Sequence, residues 1–187
     1  MADLADYANP LNSNNDTQIA AAIAQAAQDG VLRVPPNAIY KHNTMRTLPG
    51  HIRVLGDTGR TLGAGAPDNG GTAGLWGGFM IMDPLQPSMR IGDGGVNEDG
   101  AMRNIIFWRP DSPDPLSAAG QVPVLEGYGV VARYRMENIQ IKNATRSLWL
   151  KPDPAGGCPF DWRMRTLYLA GPLSGITVSK GCLLYTS

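Results

Sequence analysis

Cysteine is nearly missing from this chain of 187 residues. There are two, Cys158 and Cys182. The second opens the terminal segment Cys182-Leu183-Leu184-Tyr185-Thr186-Ser187, which reads as a translated sequencing-library adapter. The codon series TGT CTC TTA TAC ACA TCT encodes it and matches a common adapter end; the alternative is a natural hydrophobic tail. On the adapter reading natural sequence ends near Gly181 and the chain is a fragment. Discounting Cys182 leaves Cys158 alone, so neither an intrachain disulfide nor a cysteine metal-site spacing is expected.

An excess of charge is missing as well. Sixteen basic and sixteen acidic residues cancel, which removes the broad electrostatic case for nucleic acid or an anionic membrane. No apolar run approaches about 18 residues, so no membrane insertion is expected. Met1-Ala2-Asp3-Leu4-Ala5-Asp6 is acidic and lacks the basic and apolar regions of a Sec signal. Synthesis in the cytoplasm without a Sec signal is therefore expected. The chain also has no Asp-Asp pair.

What is present is glycine, proline and short apolar alternation. The 23 glycines and 15 prolines follow no fixed short period, as in folds where many short strands alternate with tight turns. Arginine outnumbers lysine, twelve to four. This suits planar recognition of carboxylates or sugars and equally a GC-rich genome. Met102-Arg103-Asn104-Ile105-Ile106-Phe107 and Met136-Glu137-Asn138-Ile139-Gln140-Ile141 share the pattern Met-x-Asn-Ile-x-apolar. Met164-Arg165-Thr166-Leu167-Tyr168-Leu169 is a looser third copy, and Met45-Arg46-Thr47-Leu48 repeats its first residues. Alternating apolar positions in each copy mark half-buried strands. Further strands are expected at Val31–Val34, 52–55 and 79–82. Successive strands of this set lie about 21 to 34 residues apart, the range of one solenoid coil with insertions on one side. The longest gap holds Pro110, Pro113, Pro115 and Pro123, which cannot donate to a ladder, and reads as a protruding loop. If Asn104 and Asn138 share a corner of successive coils, their amides can bond in a ladder; otherwise both are exposed at strand starts.

One segment has a helical period instead. Ile19, Ile23 and Ala27 share a face with Ala20 and Ala24 beside them. Asn15 is the expected N-cap, with Gln18 completing a capping box and Asp16 as competing cap. Gly30 supplies a left-handed stop. Such a smooth alanine surface suits lying across the open end of a strand stack, where it would act as a plug.

These residues carry a resemblance. Asn14-Asn15-Asp16-Thr17-Gln18-Ile19-Ala20-Ala21-Ala22-Ile23, then Gly30-Val31-Leu32-Arg33-Val34-Pro35-Pro36 and Tyr40, resemble the N-terminal opening of the pectate-lyase-like superfamily. That superfamily includes polysaccharide lyases, glycosidases and bacteriophage tailspikes. Its opening usually runs Asp-Asp-Thr, an alanine-rich helix, Gly, an apolar strand and Pro-Pro-Gly-x-Tyr; here Asn37 and Ala38 replace Gly-x and Asn15 replaces one Asp. The match covers residues 14–56 and is generic beyond. It implies an all-β fold, a right-handed parallel β-helix (a solenoid) with an N-terminal capping α-helix, truncated at the C-terminus. The expected division is 1–13 lead-in, 14–30 capping helix, 31–181 incomplete β-helix coils and 182–187 adapter.

The same resemblance implies a phage-type tail fibre or tailspike that binds a bacterial surface polysaccharide, with or without cleaving it. Its location would be the virion tail, or secreted if bacterial, and the full-length protein would be a homotrimer. The alternatives are a bacterial polysaccharide lyase or glycoside hydrolase, and a non-catalytic structural or adhesive β-helix. Superfamily lyases use clustered Asp with calcium and an Arg base, and the hydrolases use paired Asp carboxylates, one to donate a proton while the other attacks or activates water. No acidic cluster falls on the strands here, so catalytic residues are unassigned and the fragment is expected to be inactive. No cofactor and no metal site is expected in it; calcium is compatible with the full-length protein.

Asp93-Gly94-Gly95-Val96-Asn97-Glu98-Asp99-Gly100 is faintly like a calcium loop, but Glu98 stands where an EF-hand needs glycine and Asn104 where it needs Glu. A solvated turn is the expectation. His42 and His51 have no Ser or Cys constellation and read as surface or turn residues. Gly63-Ala64-Gly65, leading into Asn69-Gly70-Gly71, reads as a flexible connection, since no Lys follows and Pro67 intervenes. Trp76, Trp108, Trp149 and Trp162 offer faces for stacking on sugars. Trp108, Arg109 and Asp111, bordering the proline-rich loop, are the candidate polysaccharide-binding residues; the alternative for Trp108 is packing against the coil.

Overall fold

The computed structural model describes residues 1–57, 76–171, 175–180, 182 and, for the backbone, 184–186. The connection expected at 63–71 lies outside these. Among the described residues every strand pairing is parallel, and the strands recur in a fixed order on three faces, apart from the short pair Asn97–Glu98 and Val131–Ala132 in the connections between rounds.

The first face stacks Ala2–Asp3, Val31–Val34, Arg53–Gly56, then the leading parts of Ala101–Trp108, Arg135–Lys142 and Trp162–Ala170, and last Leu184–Thr186. The second stacks Ile39–His42 and Gly78–Ile81 on the trailing parts of those same three long strands. The third stacks Arg46–Leu48, Met89–Ile91, Pro123–Tyr128, Arg146–Lys151 and Ile176–Val178. Each round of chain visits the faces in that order, so the described residues hold five rounds of a solenoid-like, all-β arrangement.

The long strands serve two faces because each turns a corner in its middle. Asn104 (φ 57), Asn138 (φ 54) and Thr166 (φ 55) are left-handed there. Asparagine tolerates that region better than other side chains with a Cβ. The register aligns Met102 with Met136 and Met136 with Met164, confirming the repeat over three rounds. Asn138 Nδ2 donates to Asn104 Oδ1 at 3.0 Å, and Asn104 Nδ2 donates to the Gly56 carbonyl at 3.3 Å. The asparagine ladder therefore exists, and the exposed alternative is excluded. Asn37 (φ 58) turns the corresponding corner of the first round, which explains how asparagine stands where the resembling sequences have glycine. The copy at Met45-Arg46-Thr47-Leu48 belongs elsewhere: Arg46–Leu48 is on the third face, paired with Met89–Ile91.

The interior is built of columns along the axis. Ala2, Leu32, Val54, Met102, Met136 and Met164 follow one another in register and are buried. On the second face Tyr40, Phe79 and Phe107 align, with the two phenylalanine rings stacked 5.7 Å apart. Full burial of such a side chain contributes about 1.5–3 kcal/mol, repeated at each round.

Helix α1, Asp16–Asp29, contacts Ala2–Asp3, Val31–Val34 and Arg46–Leu48, the leading strands of two faces. Gly30 ends it at φ 76, its N–H donating to the Ala26 carbonyl at 2.7 Å. Two details differ from the sequence expectation. The buried face is Ile19, Ala22, Ile23 and Ala26, with Ala20 and Ala24 exposed. The capping box does not form: the Asn15 side chain caps no helical N–H. It is buried, accepting from the Asn9 N–H at 3.1 Å and donating to the Lys41 carbonyl at 3.3 Å, so it ties the lead-in to the second face. Asp16 is likewise diverted, accepting from Thr44 Oγ1 at 2.8 Å and pairing with Arg46 at 3.1 Å.

The lead-in is itself structured, since Ala2–Asp3 adds a strand beside Val31–Val34 and Leu4 is buried. The proline-rich excursion carries a short helix, Ala118–Gln121, capped by Ser117. Pro123 is not loop but the first residue of a strand, where a missing N–H is tolerated.

Candidate functional site

The residues singled out by sequence are brought near one another but play different parts. Trp108 and Arg109 are buried, while Asp111 is exposed. Arg109 and Asp111 border a cleft of about 150 Å³ with Met82 and Pro113. The Arg109 guanidinium is already committed. Nη1 donates to the Pro84 carbonyl at 2.8 Å and to Ala119 at 3.4 Å. Nη2 donates to the carbonyls of Gln86, Val122 and Pro123 at 3.2, 3.3 and 3.3 Å. Burial holds its pKa below the ordinary arginine range, opposed by Asp83. Arg109 thus fastens two loops to a strand end, and a ligand would have to compete with five carbonyls for it.

The remaining tryptophans divide likewise. Trp76 and Trp162 are buried, the latter stacked 4.9 Å from Tyr134 and donating to the Val131 carbonyl at 2.9 Å. Trp149 is the half-buried one, and it stands on the third face.

There the register sets Thr47, Arg90, Glu126, Trp149 and Thr177 in one row along the axis. Alternation points this row away from the column Met89, Leu125, Leu148 and Ile176, which faces the interior. Tyr128 and Lys151 form the neighbouring row. Glu126, only 4% exposed, accepts from Arg90 Nε at 2.9 Å and from Lys151 Nζ at 2.7 Å. Arg90 lies 4.5 Å over the Tyr128 ring. Arg146 and Lys151 lie 4.9 and 5.1 Å from the Trp149 ring centre, and Trp149 Nε1 donates to Ser179 Oγ at 2.9 Å. The result is a layer of cations and aromatic rings held by one carboxylate. At its margin a cavity of about 320 Å³ opens between Gln121, Thr145, Arg146 and Thr177.

Such a layer can offer apolar ring surface to sugar C–H groups, and N–H donors to hydroxyls and carboxylates. It has one carboxylate, Glu126, where glycoside hydrolysis uses two. No group of three or more His, Cys, Asp or Glu capable of holding a metal occurs among the described residues.

The other sequence candidates are engaged locally. Asp93 Oδ1 accepts from the Gly95 N–H at 3.0 Å and Asn97 Nδ2 at 2.8 Å. Glu98 and Asp99 both pair with Arg133. His51 Nδ1 lies 3.3 Å from Asn97 Oδ1. His42 departs from the expected surface position: it is fully buried, with Nδ1 3.0 Å from the Thr44 carbonyl and Nε2 2.9 Å from Ser88 Oγ. The carbonyl places the proton on Nδ1, so Ser88 donates to Nε2. This serine–histidine contact, unseen in the sequence across 46 positions, is sealed from solvent on both sides and is structural. Burial lowers the His42 pKa, so the ring is neutral. Cys158 and Cys182 are both free. Burial, then the neighbouring Cys158, pushes the Cys182 thiol up to about 12.

No family model matches the chain, and no curated protein does. Among solved structures it is similar to PfbA, a surface adhesin of Streptococcus pneumoniae, at 12% identity and a TM-score of 0.44. The match covers 98% of this chain and 56% of the adhesin, so the chain spans little more than half of that structure. A protein from Parabacteroides merdae assigned as a glycosyl hydrolase matches at 10% identity and a TM-score of 0.26, covering 98% and 94% of the two chains. Likenesses at these levels carry no functional inference.

Proposed function

We propose that this chain is part of a right-handed parallel β-helix protein that binds a bacterial surface polysaccharide along its third face. The single observation that carries the reading is the row Arg90–Glu126–Trp149–Thr177 with Tyr128 and Lys151 beside it. Groups repeating along an axis suit a polymer whose own groups repeat. The tail-fibre or tailspike identity, and the trimer that goes with it, rest on the resemblance of residues 14–56.

Binding without cleavage is the activity proposed, because Glu126 is the sole carboxylate of the row and is held by two cations. Isothermal titration against a panel of capsular and O-antigen polysaccharides tests this. Trp149→Ala, a half-buried position, is expected to weaken binding at least tenfold with an unchanged melting temperature. If Trp149→Ala and Tyr128→Ala together leave affinity unaltered, the third face is not the site. New reducing ends or unsaturated products that disappear with Glu126→Gln would refute the non-catalytic reading.

A further inference from the structure

The first face carries a second feature that the third-face function does not use. Its outward positions form two columns. One runs Arg53, Ala101, Arg135, Arg163, and the other Arg33, Leu55, Arg103, Glu137, Arg165. Most of these charges are spoken for. Arg33 pairs with Asp3 and Asp57, Arg103 with Glu137, and Arg163 with Asp161, while Arg133, outside the columns, takes Glu98 and Asp99.

The side chains of Arg53, Arg135 and Arg165 are exposed and make no ion pair or hydrogen bond among the described residues, and of these Arg53 and Arg135 line one cavity, where both also act on the Asp99 carboxylate. They stand one round below and one round above Ala101. Parallel strands lie about 4.8 Å apart, which puts the two arginine backbones roughly 10 Å apart along the axis. Ala101 and Gly100 fill almost none of the gap. What remains is a cavity of about 410 Å³, with Arg53, Arg103 and Arg135 on its walls, Leu55 as an apolar side and Asp99 on the rim. Asp99 is bound in a fork by Arg133, at 2.9 and 3.0 Å, and that pairing is the main cause that lowers its pKa, with Arg135 and Arg53 adding less.

We propose that this notch is a binding site for an organic anion, a sugar acid whose carboxylate is gripped between Arg53 and Arg135. Guanidinium forks match the carboxylate plane and donate in pairs. The volume lies within the roughly 300–1,000 Å³ typical of small-molecule sites, which fits a ring bearing the carboxylate rather than a bare ion. Leu55 gives that ring an apolar wall. The arginine pincer stands on geometry alone; the choice of a saccharide rests on the function proposed above.

The test is isothermal titration of the full chain with a uronate trisaccharide from alginate, with uncharged isomaltotriose, and with sodium sulfate. The uronate trisaccharide is expected to bind, at least tenfold more tightly than isomaltotriose, with affinity falling as salt rises. Arg53→Gln and Arg135→Gln should each weaken it at least tenfold without changing the melting temperature, since both side chains are exposed. Repeating the titrations with Trp149→Ala and Tyr128→Ala in the chain silences the third face, and Arg53→Gln and Arg135→Gln should weaken the trisaccharide to the same degree there, which separates this site from that face. Equal affinity for isomaltotriose, equal affinity for sulfate, indifference to both arginine substitutions, or no binding of the trisaccharide each overturns the proposal.

Discussion

A single left-handed residue decides where each long strand turns, and the third repeat has the wrong one. Asn104 and Asn138 hold φ near +55° with amides that bond along the axis, whereas Thr166 takes φ 55 with a β-branched side chain. A left-handed residue other than glycine or asparagine costs roughly 1–2 kcal/mol. Thr166→Asn is therefore expected to stabilise the protein by about 1 kcal/mol, raising the melting temperature by roughly 2–4 °C for a chain of this size. Calorimetry of the variant checks it; a lower melting temperature would mean that the Thr166 side chain compensates for its own strain.

His42 supplies a second prediction at this scale. Its folded pKa lies below the 6.5 of an unburied histidine, mainly through burial, with Arg46 adding and Thr44 and Asp16 opposing. Below pH 6.5 the unfolded chain therefore binds the proton that the folded chain refuses. Stability is full above that pH and falls as pH drops from there toward the folded pKa. Melting temperatures between pH 7.5 and 5.5 should show this slope, and His42→Gln should flatten it. An identical slope in the variant would show that another group titrates.

Among elements, the excursion from 110 to 122 is held by a residue of the preceding strand end. Arg109 donates to the carbonyls of Ala119 and Val122 within it, of Pro123 just after it, and of Pro84 and Gln86 in the 84–86 turn. Each buried carbonyl left unpaired costs about 1–3 kcal/mol. Arg109→Met should then destabilise on the order of 3 kcal/mol, and limited proteolysis should cut first between 110 and 122. Cleavage elsewhere, with this segment intact, would show that the prolines rather than Arg109 hold it. The helix teaches a related lesson. The 3.6-residue period and Gly30 reveal its existence and its end, but Asn15 and Asp16 are drawn away from capping by Asn9, Lys41 and Thr44. No local spacing encodes partners that distant.

For the molecule as a whole, parallel stacking makes the middle rounds the most enclosed. Ala101–Trp108 and Arg135–Lys142 are paired on both sides along nearly their whole length, while Ala2–Asp3 has one neighbour among the described residues. Amide exchange is expected to be slowest in those two strands and fastest toward Ala2–Asp3, since sub-global opening starts where fewest contacts are lost. Mass-spectrometric exchange showing uniform protection along the chain would contradict a solenoid that opens from its ends.

By itself the sequence determined the strand-rich repeating plan and the one long helix with its glycine stop, and it posed the asparagine corner that the structure then decided. Each is written in a local period or a residue with unusual backbone freedom. It also pointed to the 108–111 region, because tryptophan, arginine and aspartate together resemble a surface that reads sugars. Only the tertiary structure decided that Arg109 is turned inward onto carbonyls, that His42 meets Ser88 in the interior, and that Arg90, Glu126 and Trp149 form one row. It alone set Arg53 and Arg135 across the gap at Ala101. The reason is register: which residues of successive rounds stand side by side depends on the length of every intervening loop, and no local pattern records that sum.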